Sequence, residues 1–257
     1  MFLRFTRIAA VAASVIFAGL GTARAIDFYE LQIYYVDTVP QYQLMTELHS
    51  MWMPTATGEL AHSQLPTYQI HNTLEATYGL LPWLEIGQYL CTARLDSGTY
   101  EYAGARTKVH FGIPQTESWP IAFGANLELD YMRSAADPHP LSFDFMPIMQ
   151  IAWGKALFVG NLDFEKPFNG PGNKGIDFQP AASASYQLFD WIAPRVEYWG
   201  DTGPVSPLPS VQAQQHFIAP GFDLFLTPPL EINFGVGFGL TRASNGTFIK
   251  STIGWLF

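Results

Sequence analysis

The sequence predicts a single closed antiparallel β-barrel whose outer face meets lipid, with about 12 strands and 14 as the alternative count. Three observations carry this. Segments of roughly ten residues alternate apolar with polar or charged side chains, a leader of export type opens the chain, and aromatic residues (15%) outnumber charged ones (14%). The alternation is cleanest where Leu230, Ile232, Phe234, Val236, Phe238 and Leu240 interleave with Glu231, Asn233, Gly235, Gly237 and Gly239. Successive side chains of a strand point to opposite faces, so one face is continuously apolar. A soluble barrel would turn that face inward and carry a surface about 25–35% charged, more than this chain holds.

Residues 1–25 read as a secretory signal peptide. Arg4 and Arg7 precede an apolar run over 8–20, and Ala23-Arg24-Ala25 supplies the small-residue cleavage site. The run is shorter than the about 20 apolar residues a membrane helix needs. Without Arg4, Arg7 and Arg24, ten Lys plus Arg face 22 Asp plus Glu, a formal charge of −12. That balance excludes nucleic acid as a partner. Cys91 is the only cysteine, far from the cleavage site and with no disulfide partner, so the fold holds without staples. Residues 26–257 form one domain, with no change of composition along them.

Strands are expected at 43–52, 68–78, 84–94, 100–113, 122–133, 143–153, 156–165, 178–188, 192–199, 217–226, 230–240 and 248–257. Each is close to the roughly 9–11 residues of a tilted membrane strand. Short turns at 81–83, 154–155, 189–191 and 228–229 alternate with longer loops at 54–66, 134–141, 169–176 and 202–215, and the short set is expected to face the periplasm. A further apolar stretch, 26–36, would put the mature N-terminus outside the cell if it spanned. It is therefore expected not to span, and to cross the periplasmic mouth or tuck into the lumen. Trp52, Tyr78, Trp83, Tyr131, Trp153, Trp191, Tyr198 and Trp255 stand near strand ends, as interfacial girdles do. Pro147, Pro180, Pro194 and Pro220 fall inside strands and each removes a ladder donor, which predicts bulges or shifted strand limits there. Inward Gly235, Gly237 and Gly239 predict a slot for Trp199 or for residues 26–36. On the last strand Ile249, Ser251, Ile253, Trp255 and Phe257 share the outer face, and the terminal pair Trp255 and Phe257 resembles the signal read by the outer-membrane insertion machinery.

The opposite face gives the candidate functional residues. Its acids are Glu47, Glu75, Glu85, Glu128, Asp130, Asp144, Asp163, Glu165, Glu197, Asp223 and Glu231; its bases are Arg106, Lys108, Arg195 and Lys250; His49, His71 and His110 join them. Eleven acids and four bases cannot all pair, so the lumen is expected to be wet and to favour cations. Carboxylate rings select cations in channels. The same residues also suit a structural network filling a narrow barrel, in a non-conducting or adhesive protein. A lipid hydrolase needs a nucleophile beside His49, His71, Glu47 and Glu75, but Ser50 falls on the lipid face and Ser63 in a loop. No catalytic residue, cofactor or metal is assigned. His62, His139 and His216 are expected to be solvated.

The stretch 26–36, His49, 80–87 (LLPWLEIG), 178–182 (FQPAA), 197–204 (EYWGDTGP) and 235–241 (GVGFGLT) resemble a family of uncharacterised proteobacterial outer-membrane barrel proteins, similar to those labelled phenol meta-pathway outer-membrane transporters. The resemblance implies a barrel in the bacterial outer membrane and, faintly, transport of a small solute. It supplies no binding residues. The expected partners are outer-membrane lipid and, during assembly, the insertion machinery, around a monomer.

Overall fold

Twelve alternating segments give twelve strands. In a computed structural model that describes residues 28–55, 69–94, 99–113, 119–170, 175–226, 229–244 and 246–257, these are β1 (Leu44–Thr55), β2 (Gln69–Leu81), β3 (Leu84–Arg94), β4 (Tyr100–Ile113), β5 (Ile121–Met132) and β6 (Leu141–Trp153). There follow β7 (Ala156–Pro167), β8 (Asp177–Tyr186), β9 (Ile192–Asp201), β10 (Gln215–Phe225), β11 (Leu230–Gly239) and β12 (Thr247–Leu256). Each strand pairs antiparallel with its sequence neighbours, and β1 pairs with β12 to close the barrel. The count is twelve, so the fourteen-strand alternative falls. The signal peptide, Ser63 and His62 lie outside the described residues, as do parts of several loops.

Closure leaves no sheet edge, which is the condition for a sheet to exist in hydrocarbon. At the seam the amide of Phe257 donates to the Leu44 carbonyl at 2.8 Å and that of Leu44 to the Phe257 carbonyl at 3.3 Å. The outer face is apolar: Leu48, Leu74, Leu90, Leu129, Leu162 and Ile253 are each 42–51% exposed. Trp153, Trp191, Trp83 and Trp255 ring the short-turn end, Trp52 and Tyr131 the other. The β6–β7 hairpin turns in two residues because Gly154 takes φ 61°, where a Cβ is disfavoured.

Pro147 and Pro220 make no bulge, whereas the β8–β9 pairing slips by one residue past Pro180 and past Pro194. Pro147 pairs with Ala125 while the β6–β7 pairs skip from Phe145–Phe164 to Ile148–Asn161. Pro180 pairs with Leu162, and on its other side the ladder that starts at Ala181–Trp199 gives way to an Asp177–Pro204 bridge one residue out of register. Pro194 and Pro220 likewise pair with Phe222 and Val196 on one side and lapse on the other; β10–β11 keeps its register past Pro220, while past Pro194 the Ser185–Arg195 pair is followed by a Phe189–Ile192 bridge one residue out. A strand residue offers its N–H to one neighbour only, so proline weakens one ladder and spares the other. Further register shifts fall between Trp52 and Thr55, Gly79 and Leu81, and Cys91 and Thr92.

Residues 28–40 form no strand and run through the barrel interior as a plug. Phe28, Leu31, Ile33, Tyr34 and Val36 are all under 7% exposed. Extended backbone without a partner strand must find other hydrogen bonds, and the wall supplies them. Asn161 receives the Tyr34 amide at 2.8 Å and donates to its carbonyl at 2.9 Å, and Gln150 receives the Val36 amide at 3.1 Å. Thr73 donates to the Tyr29 carbonyl at 2.8 Å and Lys250 to that of Leu31 at 2.8 Å. Gly79 and Gly112 let the plug lie against the wall: a Cβ there would strike the carbonyls of Val39 and Pro40, or of Val36. The slot over β11 has a different occupant from either expected one. The Phe248 ring covers Gly237 and the Lys250 stem covers Gly235.

Candidate functional site

The polar face of the alternation points into the lumen, and the structure sorts its ionisable residues into three groups around the plug. In the first, on β1–β4, Glu75 is fully buried and receives Lys108 Nζ at 2.8 Å and His49 Nε2 at 3.0 Å. Glu85 lies 3.6 Å from Lys108 and accepts the Val39 amide at 2.5 Å. Lys108 also sits over the Tyr34 and Tyr89 rings, 4.7 and 5.4 Å from their centroids. Glu47 stands opposite Glu75 across the ladder. His71 is not part of this group. It packs edge-on against Phe28 and Tyr29 nearer the long-loop end.

The second group lies on β9, β10 and β12. Arg195 Nε is 2.9 Å from Glu197 and its Nη1 3.3 Å from Asp223, while Lys250 Nζ is 2.6 Å from Glu197. Trp199 donates to Glu197 at 3.0 Å and Arg195 to the Tyr35 hydroxyl at 2.7 Å. Glu231 opens on the mouth at the short-turn end, solvent-exposed. The third group, on β4–β7, holds Glu128, Asp130, Asp144, Asp163 and Glu165 with one base, Arg106, which lies 3.4 Å from Asp130 and 3.2 Å from Glu30 of the plug. Gln179 donates to Glu165 at 2.8 Å. His110 hydrogen-bonds Asn126 and, at 3.3 Å, the Val36 carbonyl.

Periodicity did not single out Glu30, although an acid inside the apolar stretch 26–36 was the available signal. Glu30 accepts from the Tyr34 hydroxyl and from Arg106. Burial first, and then the Glu128 carboxylate, hold its carboxyl well above the ordinary range, against the pull of Arg106. Burial likewise pushes the Tyr35 phenol up. An acid with a raised pKa in the folded protein favours docking of the plug while it is protonated, and that contribution falls as pH rises from the ordinary glutamate range toward the raised value. The amides of Tyr34 and Val36 should therefore lose hydrogen-exchange protection, corrected for intrinsic rates, as pH rises above the ordinary glutamate range, and Glu30→Gln should flatten that change. Equal slopes in the two proteins would refute it.

The interior is not wet throughout. Phe28, Leu31, Met51, Met53, Phe217 and Phe248 form an apolar cluster inside the barrel, with Phe28 6.2 and 6.3 Å from the Phe217 and Phe248 rings. Inward positions toward the long-loop end of β1, β10 and β12 carry apolar residues, so the expectation of a uniformly hydrated lumen is corrected. On the short-turn side a cavity of about 460 Å³ meets Glu47, Glu75, Glu85, Lys108, Arg195 and Asp223. A chamber of about 50 Å³ lies among the third group.

One solvated-histidine expectation is also corrected, that for His139, while His216 stays partly exposed. His139 is 8% exposed, its ring beside Gly170, because the 133–140 loop folds over it. His216 stacks on Tyr198 and accepts or donates at 2.6 Å to its hydroxyl. The group facing His49 Nδ1 is Thr252, at 3.3 Å. Trp255 and Phe257 lie outside the barrel with ring centroids 6.3 Å apart.

No protein-family model matches the chain, and no curated protein sequence matches it significantly. Solved structures do. An outer-membrane channel from Pseudomonas putida F1 aligns over 89% of this chain and 100% of its own with TM-score 0.64 and 11% identity. The KdgM porin aligns over 82% and 98% with TM-score 0.54 and 6% identity, and the NanC porin over the same shares with 0.52 and 7%. The fold is that of an outer-membrane barrel. Its apolar outer band and aromatic rings match a bilayer, and the protein resides in the bacterial outer membrane. The narrower likeness to phenol meta-pathway transporters gains nothing from these alignments, which at such identities speak to fold.

Proposed function

We propose that the protein is a narrow, monomeric pore or transporter for small solutes that favours cations. The observation that supports this most is the acid excess of the lumen. Its four bases are already engaged, Arg106 by Glu30 and Asp130, Lys108 by Glu75 and Glu85, and Arg195 and Lys250 by Glu197. Four bases neutralise at most four of the eleven predicted acids, to which the plug adds Glu30, and the remainder draw cations inward and repel anions. Solved barrels of the same fold are described as channels and porins, which agrees with a pore. The chain closes on itself, so no second copy is needed to complete the wall.

A planar-bilayer recording of the refolded mature chain in a salt gradient tests this. The reversal potential should show potassium preferred over chloride. Glu47→Gln with Glu231→Gln, both on the 460 Å³ cavity, should reduce that preference by about half or more. A silent bilayer would instead favour a structural barrel. One observation speaks for that second reading: Arg106, Arg195 and Lys250 all bond the plug, so much of the luminal charge also holds it in place.

A further inference from the structure

The third luminal group is built unlike the other two. Glu128 and Asp144 face each other directly across the β5–β6 ladder, and Asp130 follows two residues along β5. All three are 93% or more buried, and one carboxylate oxygen from each lies within 4.8 Å of the others. Like charges directly opposed across a ladder repel, and that repulsion grows as water is removed. The first two groups set a lysine or arginine between their acids. Here Arg106 stands at the side, 3.4 Å from Asp130 and shared with Glu30, and Asn126 donates to Glu128 at 3.3 Å.

Asp144 supplies the separate observation. Its Oδ1 is buried and accepts no hydrogen bond, although a buried carboxylate oxygen left unsatisfied is costly. It belongs to the residues around the 50 Å³ chamber, which Glu128, Asn161 and Asp163 also border. Such a chamber has room for an ion and a water molecule. The donors are all oxygen, without thiolate or imidazole, which suits calcium, magnesium or manganese over zinc or copper.

We propose that Glu128, Asp130 and Asp144 bind a hard divalent cation, calcium being the best fit, as a resident ion in the barrel wall. Its role is to cancel the opposed charges of β5 and β6 beside the plug. The site goes beyond the pore reading, because a resident ion is required whether or not the lumen conducts.

Terbium luminescence tests it. Tb³⁺ replaces calcium at oxygen sites, and Trp199 and Tyr34 border the same chamber and can sensitise its emission. The refolded mature barrel in detergent micelles should show saturable emission at one equivalent, displaced by calcium and not by potassium. Asp144→Asn should weaken calcium binding at least about tenfold, whereas Glu47→Gln, in the first group, should leave it unchanged. Should Asp144→Asn fail to fold, calcium should still raise the urea midpoint of the unaltered barrel and a chelator lower it. No saturable emission, affinity unchanged in Asp144→Asn, affinity lost in Glu47→Gln, or a midpoint that follows pH but ignores calcium would each overturn the site; the last would mean that the carboxylates share protons. The bilayer test of the pore reads selectivity, so either proposal can fail alone.

Discussion

Deleting residues 28–38 from the mature chain should raise single-channel conductance by about threefold or more while the twelve strands stay closed. The plug crosses the interior between the 460 Å³ cavity and the smaller chamber, and Phe28 completes the apolar cluster with Phe217 and Phe248. Its loss removes both the obstruction and the centre of that dry region. The wall should survive, because closure rests on the β1–β12 ladder from Met45–Leu256 to Thr55–Thr247, which does not use the plug. Wall groups that now bond the plug, such as Asn161, Gln150 and Lys250, would meet water in the opened lumen, so little desolvation cost is left behind. Bilayer recordings before and after deletion measure the change, with circular dichroism to check the barrel. Unchanged conductance with intact strands would show that the plug does not lie on the solute path.

Lys108→Met should destabilise the barrel by about 3–5 kcal/mol, the range for removing one partner of a buried ion pair. Glu75 is fully buried and depends on Lys108 at 2.8 Å, and Glu85 shares the same ammonium at 3.6 Å. Without it two carboxylates and the opposed Glu47 share one corner, with His49 and the Thr77 hydroxyl left on Glu75. Combining Lys108→Met with Glu75→Gln should restore about half or more of the loss, since the stranded charge goes with its partner. Urea unfolding in lipid vesicles gives both numbers. A loss under about 1 kcal/mol for the single substitution would mean that water already reaches this corner.

Strand positions were legible because the signal is local. An alternation of period two over about ten residues has one interpretation when the apolar face meets lipid, and β3 and β4 fall at the expected 84–94 and 100–113. Longer strands were underestimated where polar ends extend beyond the bilayer, as at the start of β10 with buried Gln215. For the prolines only part was legible, because periodicity counts a missing donor without saying which neighbour would have received it, and the register slips at Pro180 and Pro194 but not at Pro147 and Pro220.

The sequence by itself determined the twelve segments, the inward or outward face of each residue, the aromatic rings and the acid excess, since all of these follow from composition and from an alternation read along one strand. Only the tertiary structure decided which acid meets which base, that His49 joins Glu75 while His71 joins Phe28, and that Asn161 and Gln150 bond the plug. Apart from Arg195 and Glu197, neighbours on one strand, those partners stand 23 to 127 residues apart, and the closure and stagger of the barrel bring them together. No local pattern encodes that meeting. The division of the lumen into charged and dry regions has the same origin, because it depends on which strand ends lie at one height around the barrel.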